Sequence, residues 1–151
     1  MPNIQKWSAL GTLTTYLTTA LDGLGIGANK LGAAISNDGS TERNRFISFE
    51  LTVATQASAR TSGAFVSLYL LTSLDGTNFS FGDDSTDPAA STLMAVFPLD
   101  AATTARIVTA YGIPIPPLDF KLLCMNETGV AFAATGNVLK YLVHNEEMVV
   151  S

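Results

Sequence analysis

The stretch that decides the fold runs from residue 46 to residue 54 and reads FISFELTVA. Apolar and polar side chains alternate along it. The apolar set is Ile47, Phe49, Leu51 and Val53, and the polar set is Ser48, Glu50 and Thr52. Because successive side chains of a β-strand point to opposite faces, this alternation predicts a strand with one face in a core and the other in water.

Similar short segments follow along the rest of the chain. Residues 64–71 are apolar at nearly every position, with only Ser67 clearly polar, which predicts a strand covered on both faces by core or by a neighbouring subunit. This segment stops at the turn residues 75–78, DGTN. The further strand candidates, each bounded by turn residues, are 93–99, 105–111, 120–125, 130–134 and 138–144.

About eight short strands without interleaved helices predict an all-β protein. The fold we expect is an antiparallel β-sandwich of jelly-roll type. A chain of 151 residues without an internal repeat or a linker predicts a single domain over residues 1–151.

The opening 24 residues give conflicting signals. Leucines at spacings of three and four would share one face of a helix, whereas the threonines between them favour extended structure. These leucines are Leu10, Leu13, Leu17, Leu21 and Leu24. The strand interpretation is slightly favoured, and Gly23, Gly25 and Gly27 would end the element. Residues 1–24 are therefore expected to form either an N-terminal arm or the first strand.

The composition excludes several classes of protein. Hydrophobic residues make up 47% of the chain, which excludes intrinsic disorder, and no uninterrupted apolar run is long enough for a membrane-spanning helix. The net charge is −5 and the eight lysines and arginines are scattered, so direct nucleic-acid binding is disfavoured. The single cysteine cannot form an internal disulfide, which fits synthesis in a reducing cytoplasm.

The residues that could carry catalysis are few. The only histidine, His144, is not accompanied by a Gly-x-Ser-x-Gly nucleophile motif. Cys124 alternates with apolar residues, as a small buried hydrophobe does, and one histidine with one cysteine cannot build a structural zinc site. We expect no enzyme, no cofactor and no metal of that type.

Two loop features allow a ligand as an alternative. Asp83, Asp84 and Asp87 could offer oxygen ligands to a hard cation such as calcium, or could be a solvated acidic loop. Flat rings near loop tips could stack on sugars, which would make the protein a carbohydrate-binding jelly-roll module for host attachment. The rings considered are Trp7, Phe79, Phe81 and Tyr111.

The low charge favours assembly. Charged residues are 14% of the chain, against about 25% in an average soluble domain, and burying neutral surface avoids the cost of desolvating charges. The Leu- and Thr-rich opening is a candidate for contact with a capsid or between subunits. The predicted interface residues are Trp7, Leu10, Leu13, Leu17, Phe79 and Phe81.

Three phrases of the sequence carry a resemblance. They are LLTSLDGTNF at 70–79, GIPIPP at 112–117 with FKL at 120–122, and NETGVAFAATGNVLKY at 126–141. They resemble small virion structural proteins of tailed bacteriophages. The resemblance implies a β-sandwich on the capsid surface, a decoration or cement protein made in the host bacterial cytoplasm.

The same resemblance implies the partners. Such a protein would form a homotrimer and bridge subunits of the phage major capsid protein, with no direct contact to nucleic acid or membrane. A phage tail or tail-adaptor protein remains as an alternative, because it would share the composition and the fold.

Overall fold

A computed structural model of the chain describes residues 3–39 and 43–150. The single-domain prediction also includes residues 1, 2, 40–42 and 151, which lie outside the described residues. The strands in chain order are β1 Asn3–Trp7, β2 Thr14–Leu17, β3 Asn29–Leu31, β4 Phe46–Val53, β5 Phe65–Ser73, β6 Leu93–Pro98, β7 Arg106–Pro114, β8 Asp119–Glu127, β9 Val138–His144 and β10 Glu146–Val150. One turn of 3₁₀ helix at Ala90–Thr92 precedes β6.

Eight of the strands form two four-stranded antiparallel sheets. The first sheet has the order β2-β9-β4-β7 and the second the order β3-β8-β5-β6. The remaining pair, β1 and β10, forms a separate two-stranded ribbon. The prediction of an all-β antiparallel fold is confirmed. The two four-stranded sheets are consistent with the predicted β-sandwich. The chain changes sheet at every connection from β2 to β9 except the hairpin β5–β6.

The core lies between the two sheets. Along β4, every second residue is buried, as the FISFELTVA pattern predicts. Phe49 of β4 meets Phe97 of β6 edge to face, with ring centroids 6.5 Å apart. Leu68 and Leu122 are among the core side chains of the second sheet. The contact between the sheets is therefore made by the apolar set of each strand.

The long connection between β5 and β6 covers part of the outer face of the second sheet. Leu71 and Leu123 are buried there, outside the core cluster. The backbone at Gly82 packs against Leu71, where a Cβ would lie 3.2 Å from Leu71 Cδ1. Strand β5 is thus buried on both faces, as its sequence predicts, and residues of the same chain cover the part around Leu71.

Residues 130–134, predicted to be a strand, form an irregular loop instead. The buried Asn126 side chain fixes this loop, because its amide donates to the carbonyl oxygens of Leu24, Gly25 and Val130 at 2.9–3.1 Å. Thr128 Oγ1 also donates to the Val130 carbonyl at 2.9 Å. Side chains thus occupy carbonyl groups that a sheet neighbour would otherwise bind, and that prediction was wrong.

Residues 3–24 contain two short strands and no helix. Strand β1 pairs with β10, and β2 pairs with β9 at one side of the first sheet. Residues 18–23 then form turns, in which Leu21 N donates to Thr18 O at 2.8 Å. The sequence signals did not reveal β1, β3 or β10. Within the described ranges, no helix is long and apolar enough to cross a membrane.

Candidate interaction surface

The outer face of the first sheet is exposed to solvent, and we call it the open face. Side chains of β4, β7 and β9 form it. On β7, Ile107, Thr109 and Tyr111 point outward because Val108 and Ala110 point into the core. Ile107 is 66% exposed and Tyr111 is 84% exposed. Two large apolar side chains of β7 therefore lie on the exposed surface of the open face.

The charges of the open face cancel. Glu50 of β4 and Lys140 of β9 are directly opposite in the sheet register. Lys140 Nζ donates to Glu50 Oε1 at 3.2 Å, so the two charges form an ion pair within the subunit. A partner could therefore cover this face without leaving an unpaired charge on it.

The second apolar surface is the terminal ribbon, residues 3–7 of β1 with residues 146–150 of β10. All five residues of β1 are exposed. The exposed apolar side chains of the ribbon are Ile4, Trp7, Met148 and Val150. Lys6 pairs with Glu147 at 3.0 Å across the two strands.

An aromatic cluster joins the ribbon to the open face. The Trp7 ring stands edge-on to Phe46 and to His144, with both centroid distances 5.3 Å. Phe46 and His144 are directly opposite in the sheet and their rings stack at 5.5 Å. The cluster fixes the start of the ribbon against the sheet.

The same aromatic cluster contains His144, the only histidine of the sequence. His144 is buried, and its Nδ1 has no hydrogen-bond partner among the described residues. A general base in a catalytic triad is oriented by a hydrogen bond at its second ring nitrogen. The packing of His144 between rings instead gives it a structural contact in the ribbon attachment.

Most of the predicted interface residues of the opening segment are exposed. Trp7, Leu10 and Leu13 are each more than 40% exposed. Leu17 is the exception and requires a correction. It is 5% exposed and belongs to the core, because its side chain points inward from β2, where it is opposite Leu139 of β9.

The other two predicted interface residues lie on the opposite side of the sandwich. Phe79 and Phe81 belong to the connection that covers the second sheet, and Phe81 is 63% exposed. They line one pocket of about 370 Å³ together with Asn78, Asp83 and Lys121. The six predicted residues therefore do not form one patch.

The proposed sugar platform is also divided. Trp7 and Tyr111 belong to the first-sheet side, whereas Phe79 and Phe81 lie over the second sheet. The Lys121 ammonium lies 4.4 Å from the Phe79 ring centroid and occupies a face that a sugar would need. The four rings do not form a common stacking surface.

The acidic loop residues act as anchors within the chain. Asp84 Oδ1 accepts a hydrogen bond from Leu31 N at 2.7 Å, and its Oδ2 pairs with Lys30. These contacts, the Leu31 amide first, hold the pKa of the Asp84 carboxyl below its usual value. Asp87 accepts from Asn29 Nδ2 at 2.8 Å, and Asp83 accepts from Ser85.

Asp84 and Asp87 therefore hold the connection onto β3, whereas Asp83 accepts hydrogen bonds within the connection itself. In the part of the chain that the structure describes, no three acidic, histidine or cysteine side chains come close enough to hold a metal ion.

Cys124 has the environment that its alternation predicts. It is buried in the core between the sheets, and desolvation raises the pKa of its thiol to about 12. The reactive thiolate is therefore scarce near neutral pH.

Sequence reasoning did not identify Ile107 as a surface residue, and it considered Tyr111 only as a sugar contact. The segment 105–111 carries apolar residues at both parities, so its pattern could not show which side faces water. The absence of charge from residues 107–114 was the one available signal.

Comparison with known proteins gives no family for the chain. A scan against models of protein families and a search of curated proteins both find no match.

Proposed function

We propose that this chain is a non-enzymatic structural protein of a bacteriophage virion, a capsid decoration or cement protein that bridges subunits of the major capsid protein. The observation that carries the proposal is the exposed apolar surface of the open face and the terminal ribbon, on a protein with few charges. Surfaces of this kind can be buried without desolvating unpaired charge.

The mechanism we propose is added interface area. A specific interface buries about 1,600 Å² in total, and several such contacts per capsomer would raise the barrier to shell rupture without chemistry. In this proposal the protein is made in the bacterial cytoplasm, acts as a homotrimer on the capsid surface, and contacts neither nucleic acid nor membrane.

The three phrases that resemble phage virion proteins support a phage virion as the place where the chain acts. LLTSLDGTNF contains the turn after β5, where Asp75 accepts hydrogen bonds from the amides of Thr77 and Asn78 at 2.7–2.9 Å. NETGVAFAATGNVLKY contains the loop fixed by Asn126. These phrases support a shared fold more strongly than a shared role, so a tail or tail-adaptor protein is the second candidate.

Quantitative mass spectrometry of purified particles of the phage that encodes the chain would test the proposal. A decoration protein is expected at a copy number near that of the major capsid protein, and a tail component at far fewer copies. Absence of the chain from the particles would contradict both assignments.

A second measurement tests the bridging role. Particles lacking the chain are expected to release their DNA at a lower temperature, and added purified protein should restore the release temperature. Tyr111→Lys should impair this rescue, because it charges the open face. Leu74→Lys is the matched control, because Leu74 is 89% exposed in the connection over the second sheet.

A further inference from the structure

The two sheets of the sandwich have four outer strands, and three of them are poor partners for another strand. Strand β3 has three residues, and β2 has four with a register shift between Thr15 and Leu17. Strand β6 contains a register shift and ends at Pro98. Short strands, bulges and prolines are the features that prevent an edge from pairing with another chain.

The fourth outer strand, β7, lacks this protection over most of its length. It has nine residues, pairs with β4 on one side, and contains no charged residue after Arg106. Its protective features lie at its end, where a bulge precedes Ile113, Gly112 has a φ of 65° and the last residue is Pro114. The regular segment available for pairing is therefore residues 106–110.

Among the described residues, no third strand pairs with the terminal ribbon. A two-stranded ribbon is marginally stable in water, and a third strand on an apolar face adds the stability it needs. Strand β1 has five residues, which is the length of the regular segment of β7, and all five are exposed. In β10, by contrast, Glu146 and Val149 are half-buried.

The charges on the terminal ribbon and along β7 favour a second copy of this chain as the partner that pairs with these strands. On the ribbon, Lys6 pairs with Glu147 at 3.0 Å, and Arg45 pairs with Glu146 at 3.1 Å. On β7, Arg106 pairs with Asp100. Two copies with a net charge of −5 repel each other, so they meet at the lowest cost where each surface is locally neutral.

We propose that β1 of one copy adds as a strand to the β7 edge of a second copy. The contact joins two different surfaces of the same chain, and such a head-to-tail contact can close into a ring, as a homotrimer requires. This inference rests on the self-assembly in the proposed function and assigns the surfaces that carry it.

Sedimentation equilibrium of the purified chain tests the association in solution. We expect oligomers at multiples of the 15.9 kDa chain mass. Ile107→Lys should weaken association at least about tenfold, because a lysine on an edge strand opposes pairing. The control Leu74→Lys charges an equally apolar exposed position elsewhere and should have no effect. A monomer at all concentrations, or equal effects of both variants, would overturn the inference.

Disulfide cross-linking tests which strands meet. If β1 adds antiparallel, as every described strand pair of this protein does, full overlap of residues 3–7 with residues 106–110 puts residue 4 opposite residue 109. Ile4→Cys and Thr109→Cys therefore place thiols opposite each other, and the buried Cys124 does not compete. Paired strands bring Cα atoms to about 4.5–5.5 Å, within the range of a disulfide. Under mild oxidation, the mixture of the two variants should cross-link and each variant alone should not.

Two cross-linking results would contradict the inference. One is Thr109→Cys cross-linking with itself as efficiently as in the mixture, which indicates β7 paired with β7. The other is the absence of any cross-link while the chain associates. A chain that is monomeric in solution but abundant in virions would refute this contact and leave the virion assignment standing. A chain that associates in solution but is absent from particles would refute the virion assignment and leave this contact standing.

Discussion

The Arg60 side chain is fully buried, yet it donates through Nη2 to the Asp100 carboxylate at 2.8 Å, and that carboxylate is nearly half exposed. The same guanidinium donates to Gln56 Oε1 and to the carbonyl oxygens of Asp100 and Thr104 at 2.9–3.0 Å. Arg60 thereby joins the loop after β4 to the loop between β6 and β7.

Arg60→Ala should lower the free energy of unfolding by about 3 kcal/mol, because it leaves several buried acceptors without a donor. Urea denaturation followed by circular dichroism measures the change. Arg106→Ala is the matched control, because Arg106 contacts the same carboxylate from an exposed position and should cost less than about 1 kcal/mol. Equal losses in both variants would contradict the assigned role of Arg60.

Tyr16 connects the two sheets at the side formed by β2 and β3. Its hydroxyl donates to Ala33 O at 2.6 Å and accepts from Leu122 N at 3.0 Å. Tyr16→Phe should cost about 1–2 kcal/mol, because it leaves both backbone groups unpaired. Tyr111→Phe, at an exposed position, should change stability by less than about 0.5 kcal/mol in the same urea titration.

The same burial raises the pKa of Tyr16 to about 12, with desolvation as the main cause. An ultraviolet titration of the folded protein should therefore show one tyrosine that ionises only near that pH, and Tyr16→Phe should remove this step. Persistence of the step in the variant would assign it to another tyrosine.

Cys124 should not react with a thiol reagent such as DTNB while the protein is folded, because its thiol is buried and its pKa is raised to about 12. One thiol per chain should appear when urea unfolds the protein. Rapid reaction in native buffer would show that the core around Cys124 opens readily.

The connection over the second sheet should loosen in acid. The pKa of Asp84 is lowered in the folded state, so the folded protein binds fewer protons there than the unfolded chain. Its stabilising contribution is therefore present above the ordinary aspartate pKa of about 3.9 and is lost as pH falls through the lowered value.

Hydrogen exchange at the Leu31 amide, which donates to Asp84, provides the measurement. Protection of this amide relative to that of Gly112, which donates to Ser48 Oγ, should fall below about pH 4. Asp84→Asn should reduce this relative protection already at neutral pH. Unchanged protection in the variant would show that the carboxylate does not hold the connection.

Local sequence patterns determined much of the fold. The alternation in residues 46–54 identified β4 and its core face, because a period of two depends only on the order of residues in the strand. The continuous apolar run of residues 64–71 likewise indicated a strand buried on both sides. Cys124 was correctly placed in the core for the same reason.

Contacts between distant residues decided what those patterns left open. Residues 130–134 have the composition of a strand, yet hydrogen bonds from Asn126 and Thr128 hold them in a loop. Leu17 was predicted to be an interface residue, and its register opposite Leu139 of β9 buries it in the core.

The sequence by itself determined an all-β chain with little charge, because strand periodicity and composition are local properties. Only the tertiary structure decided which parts of the two outer sheet faces are exposed. Leu31 and Lys30 bind Asp84 across more than fifty residues and hold a covering segment over the second sheet. The first sheet leaves Ile107 and Tyr111 exposed. Exposure depends on such long-range contacts, and the residues that make them are neighbours only after the chain has folded.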